Sequence, residues 1–251
     1  MTSERVVATS TSAGRRYLQT VAELIERLET REWPNIEAAA AVIAEAMANG
    51  GVIHAFGSGH SHMFAEELFY RAGGFVHVRP ILFEGLMLHA SAPLSTTLER
   101  IPGLATAILD DHPVEPGDVL LIASNSGSNA VITEMARAAR SHGLRVIAIT
   151  SIEHATSDAA RQHQGARLHD LVDVVIDNGG VVGDATVAVE GMPTRVAPTS
   201  TVAGAAIANA LVAEVTERLV AQGVLPEVFT SSNVAGGDAV NQGHLRRSND
   251  R

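Results

Sequence analysis

The sequence predicts an α/β protein of three layers, with a five-stranded parallel sheet between two layers of helices. Two observations support this prediction. Short apolar runs alternate along the chain with segments of helical periodicity, and polar and apolar residues do not alternate within these runs. Strands that are apolar on both faces are typical of a parallel sheet covered by helices on each side. The hydrophobic content of 46% in 251 residues is sufficient for the core of one such domain.

A helical hairpin is predicted before the sheet. Between residues 14 and 30, apolar residues recur at helical spacing, namely Leu18, Val21, Leu24, Ile25 and Leu28. Pro34 and Asn35 interrupt this pattern, and an Ala-rich segment then continues to about Asn49. We therefore expect two helices that are separated at Pro34.

The rest of the chain alternates between strand and helix. The predicted strands are residues 51–56, 75–78, 119–123, 144–150 and 172–176. The predicted helices are residues 62–71, 95–111, 130–141 and 201–220, and Gly143 is expected to follow the C-terminus of the third. We divide the chain into a flexible N-terminus (residues 1–13), a single domain (residues 14–243) and a polar tail (residues 244–251).

Composition excludes several functional classes. The net charge is −10 and no arginine-rich run with interleaved aromatic residues occurs, so we expect no nucleic-acid partner. The chain has no cysteine and no lysine, which excludes a thiolate nucleophile, a Schiff-base lysine and a Walker A loop. No signal peptide is recognised, and no stretch approaches the roughly 20 apolar residues of a membrane span. We therefore expect a cytoplasmic protein that does not insert into membranes.

Two turns rich in serine and glycine each follow an apolar strand directly. The first turn is Gly57-Ser58-Gly59-His60-Ser61-His62, and the second turn is Ser124-Asn125-Ser126-Gly127-Ser128-Asn129. Each leads into a helix. This geometry favours phosphate, because small residues expose amide N–H groups and a helix N-terminus adds partial positive charge. The carboxyl ends of parallel strands meet at one edge of a sheet, so we expect both turns to line one anion-binding crevice.

The first turn alone also suggests a dinucleotide-binding protein. Gly57 and Gly59 match two of the three glycines of the Rossmann fingerprint, but His62 occupies the position of the third. The next strand ends at Arg79, where an NAD enzyme would have an acidic residue, although an arginine could suit NADP. This alternative leaves the second turn unexplained, and we expect no organic cofactor.

The two turns together resemble the SIS (sugar isomerase) fold. The second turn is similar to the Ser-x-Ser-Gly phosphate loop of that family, and the first turn resembles its Gly-x-Gly-x-Ser counterpart. The resemblance covers about residues 15–243 and implies a flavodoxin-like sandwich that binds a phosphorylated sugar. It implies that phosphate is held by Ser124, Ser126 and Ser128, with Ser58 and Ser61 facing the sugar or the phosphate. Further candidates for binding are Gly59, Asn125, Asn129, Thr199 and Ser200.

The catalytic candidates are carboxylates and histidines near the first turn. Aldose–ketose isomerisation requires a base that moves a proton between C2 and C1, and a group that assists at the carbonyl. Phe64-Ala65-Glu66-Glu67-Leu68 is similar to a stretch of the phosphoheptose isomerases in which the second glutamate is the base, so the resemblance implies this role for Glu67. His60 and His62 are candidates for the assisting group. Glu84 follows a short strand and is the candidate for a second acid.

The resemblance does not extend to the metal site of the phosphoheptose isomerases. Their metal-binding histidine lies two residues before the alanine of this stretch, where this chain has Met63, and the predicted helix 201–220 contains no histidine. We therefore expect no metal. Residues 197–201 and 231–241 are similar instead to an uncharacterised single-domain SIS subfamily.

Three functions agree with these features. The first is a sugar-phosphate isomerase, and the second is a lyase such as the N-acetylmuramic acid 6-phosphate etherases of the same fold. The third is a phosphosugar-sensing module without catalysis, because fold does not determine function. The wide apolar face of the helix at 201–220 suggests a subunit interface, and we expect a homodimer or homotetramer.

Overall fold

The computed structural model describes residues 12–159 and 165–248 and contains the expected sheet. Its strands are β1 (Ile53–Gly57), β2 (Val78–Ile81), β3 (Val119–Ala123), β4 (Arg145–Thr150) and β5 (Val174–Asp177). They are all parallel and lie in the order β2-β1-β3-β4-β5. The direction of winding therefore reverses between β1 and β3, and in such sheets ligands bind beyond the carboxyl ends of the strands at this point.

Helices cover both faces of the sheet, which confirms the three layers. They are α1 (Ala13–Arg27), α2 (Trp33–Ala48), α3 (His62–Leu68), α4 (Leu88–Leu98), α5 (Leu104–Asp110), α6 (Ala130–Ser141), α7 (Ile152–Thr156), α8 (Ser200–Ala221) and α9 (Gly237–Ser248). On one face Leu121 of β3 belongs to a core with α2, α3 and α8. On the other face Leu120 and Ile122 belong to a core with α5 and α6. Successive residues of one strand are thus buried on opposite faces, as expected for an internal parallel strand.

The N-terminal helices do not form the predicted hairpin. A single π-helical turn, Leu28–Glu32, joins α1 to α2, and the backbone remains helical through it. Pro34 lies in the first turn of α2, where its missing N–H is tolerated. Since the π turn shifts the hydrogen-bond register by one residue, the chain passes the proline without a loop. The prediction of a hairpin is therefore wrong, and the segment is one long helix.

Strand β2 and helix α3 end at different residues from those predicted. β2 begins at Val78 and includes Pro80, which is acceptable because β2 is an edge strand and one side of its backbone has no neighbour. Phe75, predicted to open this strand, instead forms an antiparallel bridge with Val228. α3 ends at Leu68, and Tyr70 then adopts a positive φ of 47°, which continues no helix.

Three parts of the fold were not predicted at all, and the first of them is the short helix α7, which follows β4. A short antiparallel hairpin, β6 (Ala185–Val187) and β7 (Val196–Pro198), precedes α8. Helix α9 follows α8 and extends to residue 248, so it includes the first part of the segment predicted to be a tail. Residues 1–11 and 249–251 lie outside the described residues. Among the described helices, none is both long and apolar enough to cross a membrane.

Candidate functional site

The first and second turns lie side by side at the carboxyl edge of the sheet. Gly57 at the end of β1 is in register with Ala123 at the end of β3, so both turns leave neighbouring strands at the same level. A cleft with a cavity of about 90 Å³ opens beside them. It is lined by His60, Ser61, Met63, Phe64, Glu67, Ala123, Ser124, Asn125, Ile149, Asn178, Ser200, Thr201, Gly204 and Ala205. Of the predicted site residues, the cleft therefore brings together His60, Ser61, Glu67, Ser124, Asn125 and Ser200.

The second turn presents polar groups that have no partner within the described part of the chain. Ser124 Oγ accepts a hydrogen bond from the N–H of Gly127 at 3.1 Å, and Gly127 has a positive φ of 60° that suits glycine. The N–H groups and hydroxyls of Ser126 and Ser128 donate to no acceptor among the described residues. α6 begins at Ala130, and its N-terminus adds partial positive charge. Together these groups form a cradle suited to an anion.

The first turn depends on glycine for its shape. A Cβ at Gly57 would lie 2.3 Å from the carbonyl oxygen of Ser61, so no other residue fits there. Gly59 has a positive φ of 57°. Ser58 is buried, yet its hydroxyl has no partner among the described residues. Ser61 and the exposed His60 line the cleft, so this turn offers hydroxyl, amide and imidazole groups to a ligand.

His62 does not line the cleft. Its Nδ1–H donates to the carbonyl oxygen of Gly59, which closes the first turn against the start of α3. Its Nε2 lies 3.6 Å from Glu66 Oε1, and its ring meets His89 edge to face at 6.1 Å. Both ring nitrogens are therefore engaged away from the cleft.

Glu67 lines the cleft with its carboxylate held on both sides. Oε1 accepts a hydrogen bond from Asn209 Nδ2 on α8 at 2.8 Å, and Oε2 forms an ion pair with Arg71 at 2.8 Å. The Glu67 side chain is 19% exposed, whereas the adjacent Glu66 side chain is 50% exposed and points elsewhere. Successive helical residues differ by about 100° in direction, which explains why only one of the two glutamates faces the cleft.

Thr199 and Ser200 are already bound by a carboxylate. Asp184, in the loop before β6, accepts hydrogen bonds from the N–H of Thr199 at 3.1 Å and of Ser200 at 2.9 Å. It also accepts one from the Ser200 hydroxyl. A carboxylate at a helix N-terminus is stabilising, so Asp184 caps α8. Ser200 lines the cleft, while Thr199 is buried and is not part of the cleft lining.

Glu99 connects the two turns and was not recognised in the sequence. Its Oε2 accepts a hydrogen bond from Asn129 Nδ2 at 2.8 Å, and its carbonyl oxygen accepts one from Val131 N–H at 3.1 Å. A Cβ at Gly59 would lie 3.3 Å from Glu99 Oε1. The hydrogen bond from Asn129 to Glu99 therefore links the second turn to the end of α4. The predicted second acid, Glu84, is exposed and is not part of the cleft lining.

Asn178 is a further cleft residue that the sequence analysis missed. Its Nδ2 donates to Asn125 Oδ1 at 3.0 Å, and its Oδ1 accepts from Gly180 N–H at 2.9 Å. These bonds leave the Nδ2 group of Asn125 unpaired within the described residues. Asn178 directly follows β5, so its position after a strand was a usable signal. Asp184, Glu99 and Asn209 carried no comparable signal, because their partners lie on distant segments.

A buried hydrogen-bonded pair of side chains, His54 and Asp118, lies beneath the first turn, with His54 on β1 three residues before it. His54 is fully buried, and its Nε2–H donates to Asp118 Oδ2 at 2.9 Å, while its Nδ1 has no partner among the described residues. Burial lowers the pKa of His54, because desolvation of the imidazolium outweighs the favourable bond to Asp118. Asp118 also accepts N–H groups of Val52 and Glu115. The pair thus stabilises the start of the sheet.

Possible metal ligands do not cluster in the described ranges. No group of three or more His, Asp or Glu side chains there has the arrangement needed to hold an ion. The donor set of the cleft, with one carboxylate, one imidazole and several hydroxyls and amides, is instead suited to hydrogen bonding.

Comparisons with known proteins agree with this fold. Residues 16–151 match the SIS domain, which includes both turns. An uncharacterised protein (UPF0309) from Listeria monocytogenes serotype 4b is 42% identical over 235 residues, covering 94% of this chain and 95% of the relative. This chain belongs to the SIS-domain family.

Solved structures share the fold at low sequence identity. A phosphoheptose isomerase from Francisella tularensis has a TM-score of 0.55 and 14% identity, over 83% of this chain and 100% of that chain. The NanR protein of Vibrio vulnificus, complexed with ManNAc-6P, has a TM-score of 0.50 and 15% identity, over 86% of this chain and 67% of that chain. At this identity, the likeness establishes the architecture alone.

Proposed function

We propose that this protein binds a phosphorylated sugar in the cleft and interconverts its aldose and ketose forms. The observation that carries the proposal is the adjacent pair of turns, whose unpaired amides and hydroxyls suit a phosphate, beside the carboxylate of Glu67. Membership of the SIS-domain family supports the binding of a phosphosugar. A phosphoheptose isomerase shares the fold, and the Glu67 carboxylate in the cleft is the kind of group that isomerisation requires.

In this proposal the phosphate lies against the two turns without any lysine. The amides of the second turn and the hydroxyls of Ser124, Ser126 and Ser128 would donate hydrogen bonds to the phosphate oxygens. Ser58 and Ser61 of the first turn would contact the phosphate or the nearest sugar hydroxyl. Several hydrogen bonds to one dianion are strong because the acceptor is charged.

Glu67 would carry out the proton transfer. As a base it would remove the proton from C2 of the aldose, which gives an enediol, and it would return this proton to C1. His60, which also lines the cleft, would move the hydroxyl proton between O2 and O1. His62 would hold the first turn in place rather than contact the substrate, because both its ring nitrogens are engaged elsewhere.

A phosphosugar sensor is the second candidate, and one observation favours it. Both oxygens of Glu67 already have partners, Asn209 and Arg71, and a carboxylate fixed in this way would suit a binding role. The NanR protein of Vibrio vulnificus, whose structure was solved in complex with ManNAc-6P, shares the fold. The lyase alternative has less support, since Glu67 is the single carboxylate that lines the cleft in the described residues and a lyase needs a second acid.

Proton NMR in D₂O tests the proposal. The protein would be incubated with hexose, hexosamine and N-acylated sugar phosphates, and the C2 proton signals and product signals followed. The proposal predicts loss of a C2 proton together with an isomer of the substrate. Glu67→Gln should abolish exchange while binding remains, and Glu66→Gln serves as the matched control with normal exchange. Line broadening without exchange would favour the sensor, and unaltered turnover of Glu67→Gln would refute its role as base.

We also propose that the protein is cytoplasmic and assembles as a homodimer or homotetramer. An apolar groove between the N-terminal helix and α8, which includes the partly exposed Ile25 and Trp33, supports assembly. Sedimentation velocity of the wild type and of Trp33→Glu would test it. A monomeric wild type would contradict the expectation.

A further inference from the structure

Gly204 is an unusual residue for its position. It is the fifth residue of the 22-residue helix α8 and is buried in the wall of the cleft, next to Ala205 and against Phe64 of α3. Glycine inside a helix lowers stability relative to alanine, because the unfolded chain has more conformational freedom. The presence of glycine at this position is therefore not explained by the stability of the helix.

The geometry of the helix does not require glycine either. Gly204 has ordinary helical backbone geometry rather than a positive φ, and among the described atoms a Cβ placed on it would meet only Phe64 Cδ2, at 3.6 Å. That distance is an ordinary van der Waals contact. Alanine would therefore fit the protein, and only the cleft would lose space.

The lining of the cleft divides by chemistry. Ser124, Asn125 and Asn178 offer hydrogen-bonding groups, whereas Met63, Phe64 and Ala205 are apolar, with Gly204 among this second set. Ligand pockets commonly combine a few orienting polar groups with an apolar surface that packs against the carbon skeleton. In a cavity of about 90 Å³, one added methyl group removes space that a ligand needs.

We propose that Gly204 determines which sugars the cleft admits, by leaving room for the carbon skeleton beyond the phosphate. This inference rests on the phosphosugar binding proposed above. The phosphate contacts the two turns, and the sugar body packs against Gly204 and its apolar neighbours. The absent side chain is thus a specificity determinant, and its stability cost is offset by ligand binding.

Isothermal titration calorimetry on Gly204→Ala tests this inference. The ligands are inorganic phosphate, fructose 6-phosphate, glucosamine 6-phosphate and N-acetylglucosamine 6-phosphate. We expect the affinity for the sugar phosphates to fall about tenfold, through overpacking, while that for inorganic phosphate changes less than about twofold. Thermal unfolding should show a melting temperature roughly 1–3 °C higher than the wild type, since alanine is the better helix former.

Gly14→Ala provides the matched control. Gly14 is also a helical glycine, in α1, and a Cβ there would meet no atom of the described residues within 4 Å. This variant should bind every ligand as the wild type does. The inference would be overturned if Gly204→Ala bound the sugar phosphates with the same affinity as the wild type. It would also be overturned if the variant had a lower melting temperature, or if its affinity for inorganic phosphate fell as much as its affinity for the sugar phosphates. A wild type that binds inorganic phosphate but none of the sugar phosphates would refute the proposed function, and the inference with it.

Discussion

Asp184 offers a direct test of how the cleft is supported. Its carboxylate accepts three hydrogen bonds from the N-terminus of α8, two from N–H groups and one from the Ser200 hydroxyl. Removing a helix cap costs up to about 2 kcal/mol. Asp184 also has a positive φ of 68°, and a left-handed conformation costs alanine about 1 kcal/mol more than aspartate or glycine, which both adopt it more readily. We therefore expect Asp184→Ala to lower the free energy of unfolding by about 3 kcal/mol.

Two further variants separate these contributions. Asp184→Gly adopts the positive φ without strain and loses only the cap, so its free energy of unfolding should fall by about 2 kcal/mol. Asp184→Asn keeps an acceptor oxygen and also tolerates positive φ, so its free energy of unfolding should fall by about 1 kcal/mol. The assay is equilibrium unfolding in urea, followed by circular dichroism. Asp111→Ala is the control, because Asp111 is exposed and should change stability by less than about 0.5 kcal/mol. If Asp184→Ala matched the control, or if alanine and glycine were equally destabilising, this reasoning would be refuted.

Three more predictions concern the site and the sheet. Asn209→Ala should lower kcat about tenfold or more with little effect on KM, because Glu67 loses the hydrogen bond that orients its carboxylate. In steady-state kinetics, a raised KM with an unchanged kcat would contradict this role and would indicate that Asn209 binds the substrate. Ser126→Ala should weaken phosphosugar binding about tenfold and leave the unphosphorylated sugar unaffected, and an equal loss for both in calorimetry would contradict the phosphate role. Folding lowers the pKa of His54, so the unfolded state takes up a proton at this residue at a higher pH than the folded state does. The contribution of neutral His54 to the free energy of unfolding is therefore present above about pH 6.5 and is lost as the pH falls. Between pH 7 and pH 5, the urea midpoint of unfolding should therefore fall less in His54→Gln than in the wild type. If the midpoint fell equally with pH in both proteins, this account would be contradicted.

The regular parts of the fold were predictable because their signals are local. The bounds of β3 and α6 are confirmed to the residue, since a continuous apolar run and a clear helical stripe end at polar turns. Gly143 has the expected positive φ after α6. The π turn before Pro34 was not predictable, because a proline between two helical patterns normally marks a break. The hairpin of β6 and β7 is too short to show periodicity.

The candidate site was predictable only in part. Small residues after a strand indicate where a backbone can approach a ligand, so both turns were visible in the sequence. The direction of a side chain depends on its neighbours, which explains why His62 was expected in the cleft but points back to Gly59. Asp184, Glu99 and Asn209 act through contacts between segments that are far apart in the chain, and no local pattern marks such contacts.

The amide shifts of the two turns test the central claim most directly. In ¹H–¹⁵N spectra, a titration with a sugar phosphate should move the signals of Ser58, Gly59, Asn125, Ser126 and Ser128, because these residues belong to the two turns that are proposed to contact the ligand. Inorganic phosphate should move the second turn, and the unphosphorylated sugar should leave it unchanged. Saturable shifts confined to the two turns and the neighbouring cleft are the predicted result. Saturable shifts elsewhere in the protein, without any change in the signals of the two turns, would contradict the account.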